Sequence, residues 1–303
     1  MKVAFVSGVN SNLDAVRGIG AHNSELFKQF EKLKTQIEIV DSTKKADVTH
    51  ITKFHPFFIS LPFIKPSKKV VLTIHDLIQL IYPKHYPPGL KGRINFLINK
   101  FLIWKNVDAI ITISETSKKD ICRFLRVQPD KVHVIYLAAK KIFKPIANHQ
   151  SLITMRRKYN LPDSFALYVG DVNYNKNIPG LIEMCKEVKI SLVIVGKQAY
   201  EIRDKDRELN HPELNHLKNL DWSNVITLGF VPDEDLVVIY NLCDVYVQPS
   251  FYEGFALPIL EARACGAWVI ATRIQAHVEI MEGDRSYSWE KTAKETLEVY
   301  GYV

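Results

Sequence analysis

Short apolar segments alternate with longer amphipathic ones along most of the chain. The apolar segments of the first half lack polar alternation, as strands buried on both faces do. We predict strands at residues 2–7, 37–40, 48–51, 69–74, 107–113 and 132–135. The intervening residues 24–33, 93–104 and 117–124 have helical periodicity with lysines on the expected outer face. Strands alternating with helices predict an α/β fold with a doubly wound parallel sheet.

The second half repeats this pattern, with predicted strands at residues 165–169, 190–195, 245–247 and 267–271. A chain of 303 residues exceeds the size at which one core usually stops growing, which favours two domains. Residues 137–150 contain Phe143-Lys144-Pro145 and show no periodicity, as a linker would. We therefore predict domains at 1–147 and 148–285, followed by a closing helix at 286–303.

Composition is typical of a globular protein, with 47% hydrophobic and 24% charged residues. The net charge of +7 is uneven, because residues 1–150 carry 24 Lys and Arg against 11 Asp and Glu. A basic half fits an acidic partner such as anionic lipid or nucleic acid, although a merely solvated surface gives the same count. The four cysteines have no paired spacing, which favours a reducing cytosol. We expect neither a signal peptide nor a membrane span.

The most informative stretch is 249–266, which follows the predicted strand 245–247. Pro258 suits the first turn of a helix, and Gly266 falls where a C-terminal cap is expected. Glu253 then lies in the loop and Glu261 about one turn into the helix. Both carboxylates are therefore predicted at the carboxyl end of a parallel strand, where open α/β sheets bind ligands.

A helix N-terminus preceded by a glycine-containing loop is a natural seat for an anion. The backbone N–H groups that would form it belong to Gly254, Phe255, Ala256 and Leu257. Glu253 and Glu261 would repel an anion, so they fit hydroxyl groups better, and the combination indicates a sugar nucleotide. The alternative is that Glu253 is a solvated loop residue and Glu261 a first-turn glutamate favoured by the helix dipole.

The stretch resembles the signature of retaining glycosyltransferases of family 4. That signature has two glutamates separated by seven residues, as Glu253 and Glu261 are, before a small-residue helix that ends in glycine. Further matching positions are Gly254, Phe255, Pro258, Ala262 and Gly266. Arg263 departs from the family, which usually has an apolar residue there. The resemblance implies the GT-B fold, with two Rossmann-like domains facing across a cleft.

Three segments of the first half match the family less specifically. Gly18 and Gly20 lie in a glycine loop that in the family faces the donor phosphates, although an unliganded turn fits equally well. His75-Asp76 resembles the family's His-Asp pair, and implies a catalytic His75 against the donor sugar. The competing interpretation is that Asp76 caps the next turn and His75 packs against it. Ser114 is predicted to cap the following helix.

In the second half the resemblance implies a nucleotide-binding domain. Lys176 would bind the donor diphosphate, Asn175 stands where relatives often have an arginine, and Glu261 would bind the ribose. Val231 lies in the segment whose backbone receives the base. Glu253 would be catalytic and orient the sugar and the leaving phosphate. No metal or other cofactor is expected.

The predicted function is transfer of a hexose, of the mannose or glucose type, from a nucleotide sugar to a glycan or lipid-linked acceptor. The expected location is the cytoplasm, at the membrane periphery through the basic first domain, with no nucleic-acid partner. An alternative is a catalytically impaired nucleotide-sugar-binding protein. An epimerase or phosphorylase of the same fold fits the glutamate pair less well.

The resemblance is incomplete after residue 284. Relatives have another strand and one or two helices before a closing helix that packs back on the first domain. Here Trp289, Ala293, Leu297 and Tyr300 already form one face of that helix. We therefore expect an exposed apolar patch near residues 267–271 and either a homodimer through it or a marginally stable protein.

Overall fold

The computed structural model describes residues 1–6, 19–33, 37–204, 212–283 and 285–302. The chain forms two compact units. The first unit comprises Met1–Pro83, Pro87–Ala138 and Asp284–Val303, and the second comprises Lys84–Tyr86 and Ala139–Gly283. Each unit is built on one parallel sheet with helices beside it, as the alternating pattern predicts.

Six strands form the sheet of the first unit in the order β2-β1-β3-β4-β5-β6. These strands are β1 (Lys2–Val6), β2 (Glu38–Ile39), β3 (Val48–Ile51), β4 (Lys69–Thr73), β5 (Ala109–Thr112) and β6 (Val132–Val134). Five strands form the sheet of the second unit in the order β11-β10-β7-β8-β9. These are β7 (Phe165–Val169), β8 (Ser191–Val195), β9 (Val225–Thr227), β10 (Val245–Gln248) and β11 (Val269–Ala271).

A short 3-10 turn, Thr43–Lys45, joins β2 to β3, and a loop joins β3 to β4. The other successive strands are connected through helices, as is usual in parallel sheets. The helices are α1 (Ile19–Lys32), α2 (Ile78–Ile81), α3 (Gly89–Asn106), α4 (Glu115–Leu125), α5 (His149–Lys158), α6 (Ile178–Glu187), α7 (Lys197–Asp204), α8 (Asp233–Leu242), α9 (Leu257–Ala264), α10 (Gln275–Met281) and α11 (Trp289–Tyr302). In the described part of the chain, no helix combines the length and hydropathy of a membrane-spanning segment.

The last helix, α11, belongs to the core of the first unit. Ala293 and Tyr300 pack with Leu26 and Phe30 of α1. The Tyr300 hydroxyl also lies 2.7 Å from Nδ1 of His50, whose Nε2 lies 2.7 Å from the Thr73 hydroxyl. These contacts fix α11 to two strands of the sheet, β3 and β4.

The boundary between the units differs from the predicted residue 147. The chain belongs to the second unit from Ala139 onwards, and that unit ends at Gly283 rather than at residue 285. Lys140 forms a 2.6 Å ion pair with Asp233. The N–H of Ile146 donates to Asn241 Oδ1 at 2.8 Å. The segment predicted as a linker is therefore bonded to α8.

The expected apolar patch near residues 267–271 is present. β11 is an edge strand of the second sheet. Trp268 is 80% exposed beside it, and Ile270 is 54% exposed within it. The dimer and the marginal stability expected from this patch stay predictions.

One prediction about α3 is incomplete. Lys91 and Lys105 are exposed and Lys100 is half-buried, but several large apolar side chains share that outer surface. Because α3 is apolar on its buried side as well, the lysine positions alone do not define its solvent face.

Candidate functional site

The loop between β10 and α9 has an uncommon backbone conformation where the helix begins. Ala256 caps α9 with φ 76° and ψ 59°, a left-handed conformation that few residues other than glycine adopt. Pro258 occupies the first turn, and Gly266, with φ 80°, ends the helix as predicted. Strain of this kind persists only where the surroundings enforce it, and it concentrates at functional sites.

Glu253 is held in this loop by an internal set of donors. Its side chain is 6% exposed. Oε1 accepts hydrogen bonds from the Ser250 hydroxyl at 2.6 Å and from Gln248 Nε2 at 2.8 Å. The Tyr246 hydroxyl in turn donates to Gln248. A buried carboxylate needs such partners, and here they also fix its orientation.

Lys176 completes the environment of Glu253. It ends a short 3-10 turn, Tyr174–Lys176, that follows β7. Its ammonium nitrogen lies 2.7 Å from both carboxylate oxygens of Glu253. The structure thus brings together two residues predicted to serve the donor, and it joins them to each other as an ion pair. A diphosphate would have to share this lysine with Glu253.

Asn175 has the surroundings of a scaffold residue. It is 1% exposed. Its amide donates to the Tyr252 carbonyl at 2.9 Å and accepts from the Tyr86 hydroxyl at 3.2 Å. Its own carbonyl accepts from the Phe251 N–H at 2.8 Å. A direct donor contact through this amide would break bonds that hold the 249–256 loop, so of the predicted donor ligands it fits that role least.

Glu261 projects from α9 and is half-buried. Its Oε2 accepts a 3.0 Å hydrogen bond from the Tyr240 hydroxyl of α8. Val231 lies two residues before α8, and its side chain is fully buried, which leaves only its backbone for the role predicted for it. Of the residues at the start of α9, Phe255 is buried and Leu257 half-buried. Gly254 is buried as well.

Two further buried groups, neither of which was predicted to belong to the site, interact with the charge of Glu253. Burial first, and Glu253 second, raise the pKa of the Tyr168 hydroxyl well above its ordinary value. Burial lowers the pKa of His277, although Glu253 acts in the opposite direction. Both side chains therefore remain neutral near pH 7 beside the charged pair.

His75 lies in the first unit, two residues after β4 ends. Its Nε2 is 2.9 Å from Nδ1 of His22, so one ring nitrogen donates and the other accepts. Burial lowers the pKa of His75 to about 4, and burial together with the His75 ring lowers the pKa of His22 well below its ordinary value. Both rings are therefore neutral near pH 7. No role was predicted for His22 from the sequence.

The segments around His75 settle two smaller predictions. Ser114 caps α4 as predicted, with its hydroxyl accepting from the Ser117 N–H at 2.9 Å. The Ser117 hydroxyl then donates to the His75 carbonyl at 2.8 Å. Asp76 accepts from the Ile78 N–H at 3.2 Å, which is the turn-capping role that we weighed against a ligand role.

The glycine loop can be followed only in part. Gly18 lies outside the described residues, and Gly20 lies in the first turn of α1. Within the described ranges, no cluster of three or more His, Cys, Asp or Glu side chains has the arrangement of a metal site. The expectation that no metal is required stays a prediction.

Comparison with known proteins identifies the family. A model described as "Glycosyl transferases group 1" matches residues 153–293, and one described as "Glycosyltransferase Family 4" matches residues 16–139. The chain belongs to glycosyltransferase family 4. The paired glutamates and Lys176 fall within the first match, and His22 and His75 within the second.

Curated relatives of this family 4 member include two Escherichia coli proteins. The serotype-specific mannosyltransferase WbdA is 29% identical over 78% of this chain and 30% of its own length. O-antigen chain mannosyltransferase B is 29% identical over 71% of this chain and 55% of its own length. The matches thus span less than two thirds of either relative.

A solved structure of Anabaena HepE, in complex with UDP and glucose, has the same fold. It superposes with a TM-score of 0.66 at 15% identity, over 97% of this chain and 88% of HepE. This likeness shows that the chain has the predicted GT-B fold.

Proposed function

We propose that this family 4 member is a retaining glycosyltransferase. It moves a hexose, of the mannose or glucose type, from a nucleotide sugar to a hydroxyl acceptor such as a growing glycan or a glycolipid. The observation that carries this proposal is the fixed carboxylate of Glu253, paired with Lys176 on a strained loop that leads into α9.

The second unit is proposed to hold the nucleotide. Lys176 supplies a cation for the diphosphate, and the backbone of Gly254, Phe255, Ala256 and Leu257 approaches the same phosphates at the start of α9. Glu261 accepts hydrogen bonds from the ribose hydroxyl groups, and the backbone of Val231 receives the base. Tyr240 supports the ribose role, because it holds the Glu261 carboxylate in one orientation.

Transfer exchanges one bond for another at the anomeric carbon. The bond from that carbon to the phosphate oxygen breaks, and a bond to the acceptor oxygen forms on the same face. The acceptor proton passes to the leaving phosphate. Glu253 orients the sugar, and catalysis depends on positioning and on stabilising the departing diphosphate.

The substrate class is supported by the relatives. WbdA and mannosyltransferase B are named for mannose transfer, and HepE was solved with UDP and glucose. A hexose donor is therefore proposed, with a glycan or lipid-linked acceptor. The basic residues 1–150 would place the protein on the anionic cytoplasmic face of a membrane.

A second candidate is a nucleotide-sugar-binding protein with impaired catalysis. The Lys176–Glu253 pair favours it, because the single cation that the family motif predicts here is already neutralised in the structure. Asn175 also replaces the arginine that relatives often have.

The test is a thermal-shift screen against UDP-, GDP- and ADP-sugars, followed by assay of nucleotide release with the donor that binds. We expect one donor to raise the melting temperature and to be turned over when an acceptor is present, with and without EDTA. NMR of the product should show the anomeric configuration of the donor. Binding without turnover would favour the second candidate, and no binding by any donor would refute both.

A further inference from the structure

Helix α3 is apolar on two sides. One side is buried in the first unit through residues such as Leu102 and Ile103. A second set of large apolar side chains is exposed, and we call it the α3 stripe. It consists of Leu90, Ile94, Leu97, Phe101 and Trp104. Spacings of four, three, four and three residues place all five on one face of the helix.

The exposure of the α3 stripe is extensive. Leu90 is 78%, Leu97 65% and Trp104 76% exposed. Single exposed apolar residues are ordinary, but five on one helical face form a contiguous strip that folding leaves in water. Such strips mark surfaces that are covered by a partner or by a membrane.

The loop between β3 and β4 carries a second set of exposed apolar side chains. It exposes four large apolar side chains, namely Phe58, Ile59, Phe63 and Ile64. Asn99 of α3 fixes the loop, because its amide donates to the Phe58 carbonyl at 2.6 Å and accepts from the Ser60 N–H at 3.2 Å. Asn106 donates to the Pro62 carbonyl at 2.8 Å. These bonds hold the loop against the buried side of α3, opposite to the stripe. Loop and stripe meet where Phe57 and Leu97 line one cavity.

Charge identifies the partner. Residues 48–107 contain nine Lys and Arg and a single acidic residue, Asp76. The ammonium nitrogen of Lys100 lies 5.6 Å from the ring centroid of Phe96, and that of Lys105 lies 6.0 Å from the ring centroid of Phe101. Lysines whose stems follow apolar surface can keep their ammonium groups among lipid headgroups while the neighbouring side chains enter the acyl region.

The same charge disfavours a second copy of the chain. Two copies joined through this face would bring their cations together with almost no acidic residue to compensate. An anionic bilayer offers both a negative surface and an apolar interior, and a tryptophan at one end of the strip suits the boundary between them.

We propose that the α3 stripe forms a lipid-contacting surface that inserts into the interfacial region of an anionic membrane. This deepens the membrane association proposed above and rests on it. It differs from that association in mechanism, since scattered lysines alone would adsorb to the headgroups without insertion.

The first experiment measures co-sedimentation with vesicles of equal parts phosphatidylcholine and phosphatidylglycerol. The double variant Leu97→Ser/Phe101→Ser removes two exposed side chains. Each is expected to lower vesicle affinity about tenfold, from the apolar area that insertion would bury. The matched control is Val188→Ser, which removes an apolar side chain from the second unit that is 65% exposed, as Leu97 is, and should leave vesicle binding unchanged.

The second experiment uses Trp104 as a depth reporter with brominated lipids. Quenching of tryptophan fluorescence should appear in the unaltered protein and in Trp268→Phe, and should be lost in Trp104→Phe. This readout needs only a conservative substitution, so it remains decisive if the double variant folds poorly.

Three outcomes overturn the proposal and can be told apart. Binding that salt reverses fully, without quenching of Trp104, would mean adsorption by charge alone. No binding to any vesicle would refute membrane association itself, while donor binding in the thermal-shift screen would still stand. Self-association in sedimentation velocity that Leu97→Ser/Phe101→Ser abolishes would assign the stripe to a protein interface.

Discussion

The pairing of Lys176 with Glu253 gives a prediction whose sign differs between two single variants. Lys176→Met removes the cation proposed to bind the donor diphosphate. Glu253→Gln keeps the size of the side chain but releases Lys176 from its 2.7 Å contacts with both carboxylate oxygens. If Lys176 binds phosphate, the first change should weaken nucleoside diphosphate binding and the second should leave it equal or tighter.

The magnitudes follow from burial and hydrogen bonding. Loss of a charge-assisted hydrogen bond to phosphate costs about 1.5–3 kcal/mol, or roughly tenfold to a hundredfold in affinity. Removing one partner of a fully buried ion pair costs about 3–5 kcal/mol of unfolding free energy. The Lys176 side chain is 21% exposed and that of Glu253 is 6% exposed. Because the pair is not fully buried, we expect Lys176→Met to lose unfolding free energy at the lower end of the range for a buried ion pair.

Isothermal titration with the nucleoside diphosphate measures the affinities, and urea unfolding of both variants and of the double variant measures the coupling. The double variant should lose less unfolding free energy than the two single variants lose in sum, because each single variant already breaks the same ion pair. Equal loss of affinity in both single variants would show that Lys176 is not the phosphate-binding cation. Additive changes in the free energy of unfolding would show that Lys176 and Glu253 are not coupled.

Four other outcomes are expected. Glu261→Ala should weaken nucleotide binding about tenfold to a hundredfold by titration calorimetry with little change in melting temperature, whereas a collapse in stability would indicate a structural role. Ala256→Gly should raise the free energy of unfolding by up to about 1 kcal/mol in urea, because φ 76° disfavours a β-carbon, and a decrease would argue against the strain. The free energy of unfolding should fall as the pH drops from 6.5 towards 4, because the histidines of the unfolded chain bind protons in that range and the folded His75 ring does not. Urea unfolding at several pH values should show a shallower pH dependence for His75→Gln. Sedimentation should show a dimer that Trp268→Ser/Ile270→Ser dissociates, or a low melting temperature, and a monomer of ordinary stability would refute the inference from the exposed edge.

Local pattern was sufficient for the elements that carry the site. The strand, loop and helix around residues 245–266 follow from an apolar run, a proline suited to the first helical turn and a terminal glycine, and each acts within a few residues of sequence. Ser114 was predictable as a cap for the same reason, because its hydroxyl bonds to Ser117 in the same turn. Strand ends shifted by one or two residues, since they depend on the neighbouring strand.

The sequence did not indicate which distant residues contact each other. Lys176 and Glu253 are 77 residues apart, and both were predicted to contact the donor, yet nothing local indicates that they contact each other. His22 and His75 are 53 residues apart, and their contact depends on how α1 packs beside the end of β4. Asn175 was assigned by its place in a motif, and only the bonds that bury it reveal a scaffold.

The α3 stripe escaped prediction for a different reason. A periodic pattern indicates one buried face, and the lysines of α3 appeared to mark the opposite one. Apolar residues lie on two faces of α3, so the sequence shows no clear helical period of apolar and polar positions. Which set is buried is decided by the packing of Asn99 and Asn106 against the β3–β4 loop, which a single helix does not encode.

The charge of the second half bears on how a donor would be recognised. Residues 151–303 carry 16 Lys and Arg against 22 Asp and Glu, so their overall field does not attract a nucleoside diphosphate. Recognition must then come from local groups, with Lys176 foremost. If its ammonium moved to a phosphate, Glu253 would keep the hydrogen bonds from Ser250 and Gln248 and would not be left as an unsatisfied buried charge. Two neutral donors on the carboxylate thus let one lysine serve either Glu253 or the diphosphate, which is how a site with a single cation can remain both stable and able to bind.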